Sequence, residues 1–157
     1  MSRRPLMLAL CAAALAAVPV AHAQPGPMNV SVTFNPTPSP SWNPNVPITL
    51  TVDARRSPDI GQEDIFAVRQ YGQQPRQPGL VFNFAVPGVH PQEDIIIQGY
   101  MCAFGGNGEC YPSDVDNPPS CSVVVKVLPG RTPSCRPVFT WSGGQPGTPV
   151  RCSAACQ

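Results

Sequence analysis

Prolines are spread along the whole chain and restrict what it can fold into. The sequence has 22 prolines in 157 residues, and a proline inside a helix removes a backbone hydrogen bond and clashes with the preceding turn. Apolar residues do not recur at helical spacing but alternate with polar ones, as in Val30-Ser31-Val32-Thr33-Phe34. Such alternation is typical of strands with one buried and one wet face. The sequence therefore predicts an all-β protein.

Six strands and a short seventh follow from this alternation, and turn signals rich in proline and glycine separate them. The predicted strands cover residues 29–35, 48–54, 65–71, 80–86, 94–104, 122–128 and 138–141. Each strand has an apolar face to bury, and a two-sheet sandwich buries such faces against each other. A sandwich is therefore the predicted architecture.

Three segments resemble the generic immunoglobulin-like domains of secreted and surface proteins. They are residues 45–54, residues 80–88 and the strand that ends in Cys102. The resemblance covers residues 28 to 128 and implies an immunoglobulin-like two-sheet sandwich, a fold to which no single activity is attached. The antibody pattern is not followed, because the second predicted strand has no cysteine and the third has no tryptophan.

The first 23 residues predict a secretory signal peptide, residues 1–23. Two arginines precede an apolar run over residues 6–20, and Ala21-His22-Ala23 offers the small-x-small pattern of a cleavage site. The mature chain is expected to begin near Gln24, without a membrane span. Secretion to the medium or the cell surface is expected, or to the periplasm of a Gram-negative host.

An even number of cysteines remains in the predicted mature chain, because Cys11 is lost with the signal. In an exported protein an even set indicates disulfides. The six cysteines all lie after residue 101: Cys102, Cys110, Cys121, Cys135, Cys152 and Cys156. The sequence leaves their pairing open and has no Cys-x-x-Cys spacing for structural zinc. It predicts a sandwich domain over residues 24–128 and a disulfide-stapled, cysteine- and proline-rich C-terminal extension, 129–157, packed on the same domain.

The low share of charged residues and the small net charge limit the class of partner that the protein could bind. Charged residues make up only 12% of the chain, about half of the usual share. Without the two arginines of the signal, eight basic residues stand against nine acidic ones, a net charge near −1. Nucleic acid and anionic membranes call for a basic stripe, so neither is expected. A protein or glycan partner is expected instead, with no cofactor, and the oligomeric state is left open.

The sequence offers few combinations of residues that could form a catalytic site. The mature chain has one histidine, His90, which lies in a predicted turn and has no serine motif to serve, so it is interpreted as a solvated loop residue. Oxidised cysteines disfavour thiol catalysis. Paired carboxylates of a glycan hydrolase could come from Glu63, Asp64, Glu93, Asp94 and Glu109. The favoured hypothesis is a non-enzymatic structural or binding module, and a secreted carbohydrate-active enzyme is the alternative.

The loop over residues 105–121 is the predicted recognition surface, with Tyr111, Asp114 and Asp116 as its contacts. Trp42, in a proline-rich connection, is a further candidate because a loop aromatic offers a flat apolar face. Calcium could use the oxygen ligands Glu109, Asp114, Asp116 and Asn117. A calcium loop requires glycine after its third oxygen ligand, however, and Pro118 follows here, so no metal is expected. A protease inhibitor presenting the 105–121 loop is a further alternative.

Overall fold

The chain forms two β-sheets in a computed structural model that describes residues 24–36, 47–56, 65–103, 120–142 and 150–157. These residues contain strands and turns but no helix. The strands are β1 (Gly26–Pro36), β2 (Ile48–Arg56), β3 (Ile65–Gln74), β4 (Leu80–Val89), β5 (Asp94–Ala103), β6 (Ser120–Leu128), β7 (Thr132–Pro133), β8 (Pro137–Ser142) and β9 (Arg151–Cys156). The predicted all-β, two-sheet sandwich is confirmed. The predicted signal, 1–23, lies outside the described residues.

Each sheet combines strands from both halves of the chain. The four-stranded sheet has the order β4-β1-β8-β9, and the five-stranded sheet has the order β3-β2-β5-β6-β7. Neighbouring strands are antiparallel except β1 and β8, which run parallel over residues 33–36 and 138–141. The C-terminal segment 129–157 therefore supplies β7, β8 and β9, and β8 is an inner strand of the four-stranded sheet.

The core lies between the two sheets and is built by the alternation seen in the sequence. On β1 and β2 every second side chain is fully buried: Met28, Val30, Val32, Phe34, Ile48, Leu50, Val52 and Ala54. At one end Phe34 stacks on Trp141 with ring centroids 5.7 Å apart and lies 5.5 Å from the ring of Phe139. Aromatic pairs at such distances add to the burial energy. Trp141 is thus a core residue and offers no surface for a ligand.

Gly99 of β5 leaves the space that the Phe139 ring occupies from the opposite sheet. A Cβ atom at Gly99 would lie 2.7 Å from Cγ of Phe139, so even alanine must push the ring or the strand. We expect Gly99→Ala to lower the free energy of unfolding by about 1–3 kcal/mol through overpacking, measured by urea denaturation. The matched control is Gly72→Ala on β3, where nothing lies within 4 Å. Equal stability of the two variants would contradict this packing.

Two disulfides close one side of the sandwich. Cys121 on β6 is bonded to Cys152 on β9, so the bond joins the five-stranded sheet to the edge of the four-stranded sheet. Cys135, just before β8, is bonded to Cys156 at the end of β9. The predicted disulfide staple is confirmed for these four cysteines. The side chain of Cys102 and all of Cys110 lie outside the described residues.

The opposite side of the sandwich, between β3 and β4, is held by non-covalent contacts. The Tyr71 hydroxyl donates to the Asn83 carbonyl oxygen at 3.0 Å, and the Tyr71 ring stacks on Phe82 with centroids 4.0 Å apart. A shallow groove of about 320 Å³ runs along this side. The sandwich therefore has one covalently closed side and one non-covalent side.

Candidate functional site

The binding residues predicted from the sequence lie outside the part of the chain that the structure describes. This applies to Trp42, Glu109, Tyr111, Asp114, Asp116 and Asn117. The structure does describe the two strands that flank residues 104–119. These are β5 and β6, which are antiparallel neighbours and pair Tyr100 with Ser120. The last two residues of the predicted recognition loop, Ser120 and Cys121, belong to β6. The rest of the loop connects two adjacent strands of the five-stranded sheet.

A polar cluster that was not predicted from the sequence lies on the outer face of this sheet. We call it the Asp53 cluster, and it consists of Asp53, Arg55, Gln98, Tyr100 and Ser120. Asp53 and Arg55 alternate on β2 with the core residues Val52 and Ala54, so both point away from the core. β5 pairs with β2 so that Gln98 lies opposite Asp53. Strand pairing thus brings these side chains together on one face.

Arg55 is the centre of the hydrogen bonds in the Asp53 cluster. Its Nε donates to Oδ1 of Asp53 at 3.1 Å and its Nη2 donates to Oδ2 at 3.3 Å. Nη2 also donates to the Tyr100 hydroxyl oxygen at 2.5 Å. The Asp53 side chain is only 5% exposed and that of Arg55 is 18% exposed. A carboxylate so well covered is tolerated because it is paired and hydrogen-bonded.

Tyr100 keeps its proton in this environment. Burial of the phenol, together with its hydrogen bond to Asp53, raises the pKa of Tyr100 to about 12. The hydroxyl is therefore neutral at physiological pH, donates to Asp53 and accepts from Arg55. This satisfies the carboxylate on both sides and leaves it poorly placed to act as a base or nucleophile toward a ligand.

The cluster continues across β5 to β6 as a row of polar side chains. Nε2 of Gln98 donates to Oγ of Ser120 at 3.2 Å, and both residues are half-buried. Amide, hydroxyl and guanidinium groups of this kind can bind hydroxyl or amide groups of a ligand. They form no metal centre: in the described ranges no three His, Cys, Asp or Glu residues come together.

The raised pKa of Tyr100 can be tested by a pH titration. The folded state binds the phenolic proton more tightly than the unfolded chain, whose tyrosines ionise near pH 10. The stability that comes from this proton is therefore complete below about pH 10 and is lost as the pH rises through about 12. A rapid titration of tyrosinate absorbance is expected to show a late component that Tyr100→Phe removes. Burial also raises the pKa of Tyr71, so Tyr71→Phe is expected to remove a separate part of the tyrosinate signal and to leave the component near pH 12. Persistence of that component in Tyr100→Phe would contradict the assignment.

Two of the candidate catalytic carboxylates, Glu93 and Asp94, lie in the described residues. The carboxylate of Glu93 is hydrogen-bonded within the protein. Its Oε1 accepts from Nε of Arg56 at 2.8 Å and its Oε2 accepts from the backbone N–H of His90 at 2.9 Å. Glu93 thus closes the turn between β4 and β5. Asp94 is exposed at the first position of β5, and His90 is exposed in the turn, as predicted. Glu63, Asp64 and Glu109 lie outside the described residues.

A second concave surface lies on the four-stranded sheet, next to the Cys135–Cys156 disulfide. It has a volume of about 470 Å³ and is lined by Asn29, Ser31, Pro133, Cys135, Arg136 and Gln157. Of these six residues, only Arg136 has a charged side chain. The groove offers mainly neutral polar groups and, like the Asp53 cluster, suits an uncharged polar ligand better than a phosphate chain.

Within the described ranges, no helical segment has the length and hydrophobicity needed to cross a bilayer. Comparison with known proteins gives no relative from which a role could be transferred. No family model matches the chain, and no curated protein and no solved structure shows significant similarity to it.

Proposed function

We propose that the protein is exported and acts outside the cytoplasm as a non-enzymatic binding module. The observation that carries this proposal is the Cys121–Cys152 bond, which joins the two sheets of the sandwich. Structural disulfides of this kind persist in oxidising compartments and are rare in the cytosol. The signal-like segment 1–23 supports the same localisation.

The proposed binding surface combines the 105–121 loop with the Asp53 cluster beside it. The loop lies in the chain between β5 and β6. Gln98, Tyr100 and Ser120 of the cluster lie on the outer face of these two strands, close to the positions where the loop leaves the sheet. A rigid sheet that carries a functional loop is a common arrangement for recognition. The hydrogen-bonding groups and the low charge suit a glycan or a neutral protein segment.

The contacts of Glu93 make this residue a poor candidate for a catalytic carboxylate. A glycan hydrolase needs two carboxylates free to face the scissile bond, but Glu93 is engaged by Arg56 and by the His90 backbone. The side chain of Asp53 is covered and paired with Arg55. These two carboxylates have structural partners, which agrees with the proposed binding role. Asp94 is exposed, and Glu63, Asp64 and Glu109 lie outside the described residues.

Affinity capture with matched variants tests the proposal. The tagged mature protein is incubated with the surface fraction of its own host, and the captured molecules are identified. We expect the triple variant Tyr111→Ala, Asp114→Ala, Asp116→Ala and the pair Gln98→Ala, Ser120→Ala each to reduce specific capture by about tenfold or more, as loss of central contacts does.

The control pair for this experiment is Asn83→Ala with Ser153→Ala. Both residues are exposed on the four-stranded sheet, so these changes remove polar side chains without touching the proposed surface. Capture by this control is expected to match the wild type. Wild-type capture by both the loop and the sheet variants would contradict the proposed surface.

A further inference from the structure

The guanidinium of Arg131 covers the start of the first strand. Arg131 lies in the turn between β6 and β7 with a positive φ of 58°, and its backbone N–H donates to the Leu128 carbonyl at 3.0 Å. From this turn its Nη2 donates to the carbonyl oxygen of Gln24. The turn thereby holds the chain two residues before β1 begins.

Gly26 makes this contact sterically feasible. A Cβ atom at Gly26 would lie 2.6 Å from Nε and 2.7 Å from Cζ of Arg131, which is closer than non-bonded atoms come. Any other residue would displace the guanidinium from its position over the strand. The absence of a side chain at Gly26 therefore lets Arg131 reach Gln24.

The next step rests on the proposed export, with cleavage before Gln24. Gln24 would then carry the free α-amino group of the mature chain, and Gln24 is exposed. The α-nitrogen is separated from the carbonyl oxygen of the same residue by only three bonds. It would therefore lie within a few ångströms of the Arg131 guanidinium. An α-amino group with a pKa of about 7.7–8.0 is mostly protonated at neutral pH, so two positive charges would face each other.

We propose that Gln24 cyclises to pyroglutamate and that Arg131 binds this neutral chain end. The α-amino nitrogen attacks the side-chain amide carbon, so that a C–N bond closes a five-membered lactam. The bond from this carbon to the amide nitrogen breaks, and ammonia leaves with a proton from the α-amine. No oxidant, reductant or cofactor is needed. The product has no charge at the α-nitrogen and keeps the carbonyl oxygen that accepts from Arg131.

Cyclisation would fix one corner of the sandwich. β1 is an inner strand of the four-stranded sheet, whereas Arg131 belongs to the turn at the edge of the five-stranded sheet. A neutral end held by Arg131 therefore links the two sheets near the beginning of the chain, where no disulfide of the described residues lies. The modification site and its positioning residue thus complement the C-terminal disulfides.

The test begins with the exported protein recovered from its host and measured by intact-mass and N-terminal peptide spectrometry. The expected mature chain starts at residue 24 and is lighter by about 17 Da, one ammonia, than the unmodified sequence. A chain that starts at Gln24 with a free amine would overturn the cyclisation. A chain that keeps residues 1–23 would instead overturn the proposed export.

A double-mutant cycle tests the role of Arg131. Gln24→Ala keeps a free, charged amine, and we expect its thermal midpoint to fall by a few degrees relative to the cyclised wild type. In an Arg131→Gln background the same substitution is expected to change the midpoint little, because the repulsion is gone. Additive effects of the two substitutions would show that Arg131 does not interact with the chain end. They would overturn the proposed role of Arg131 in binding it.

Discussion

Replacing Phe34 by alanine is expected to lower the free energy of unfolding by about 3–5 kcal/mol. The side chain is fully buried and contacts the rings of Trp141, Phe139 and Phe82. Removing it takes away this packing and leaves a cavity between the two sheets. Since small domains are stable by about 5–15 kcal/mol in total, the loss is a large part of what holds the sandwich together. Urea denaturation followed by circular dichroism measures it.

Val81→Ala is the control for this substitution. Val81 lies on β4 and is 56% exposed, so its truncation is expected to change stability by about 0.5 kcal/mol or less. A loss below about 1 kcal/mol for Phe34→Ala would contradict the central place of Phe34 in the core.

Removing the disulfide between the sheets is the second large effect. The double variant Cys121→Ser, Cys152→Ser is expected to be less stable by about 2–4 kcal/mol, because the bond closes a chain segment with a sequence separation of 31 and restricts the unfolded chain. Urea denaturation of the variant and the wild type, both without reductant, measures the difference. Both cysteines are replaced so that no free thiol is left to form a new bond.

The pair Ser122→Ala, Ser153→Ala is the matched control, because each residue is exposed beside a bridged cysteine on β6 or β9. It is expected to keep wild-type stability. Adding reductant is expected to destabilise the wild type more than the cysteine variant, which has one bond fewer to lose. Equal stability of the cysteine variant and the wild type would contradict the claim that the Cys121–Cys152 bond stabilises the folded protein.

The strands that depend on an apolar face were predictable from the sequence. β1, β2 and β4 carry apolar side chains at every second position within residues 29–35, 48–54 and 80–86, and most of these side chains are buried in the core. β9 was missed because its residues Arg151–Cys156 include only alanines and cysteines as apolar residues. It is held by pairing with β8 and by two disulfides, and neither follows from local sequence. β7 is too short, at two residues, to leave a pattern.

The Asp53 cluster was missed for a related reason. In the sequence Asp53 looks like an ordinary residue on the wet face of its strand, alternating with Val52 and Ala54. Its importance comes from Tyr100, which is 45 positions away from Arg55 and reaches the pair only because β2 and β5 are neighbours. A charged Asp-x-Arg pair within a strand rich in buried residues was the available signal. Trp141 likewise became a core residue through the parallel pairing of β1 and β8.

The most direct test is the disulfide map of the protein recovered from the exported fraction of its host. Trypsin leaves Cys152 and Cys156 on one peptide, because no lysine or arginine separates them, so partial reduction or fragmentation must assign each bond. An exported sandwich closed along one side predicts Cys121 linked to Cys152 and Cys135 linked to Cys156, with no free thiol at these positions. Protein retained in the cytoplasm with these four thiols reduced would contradict it.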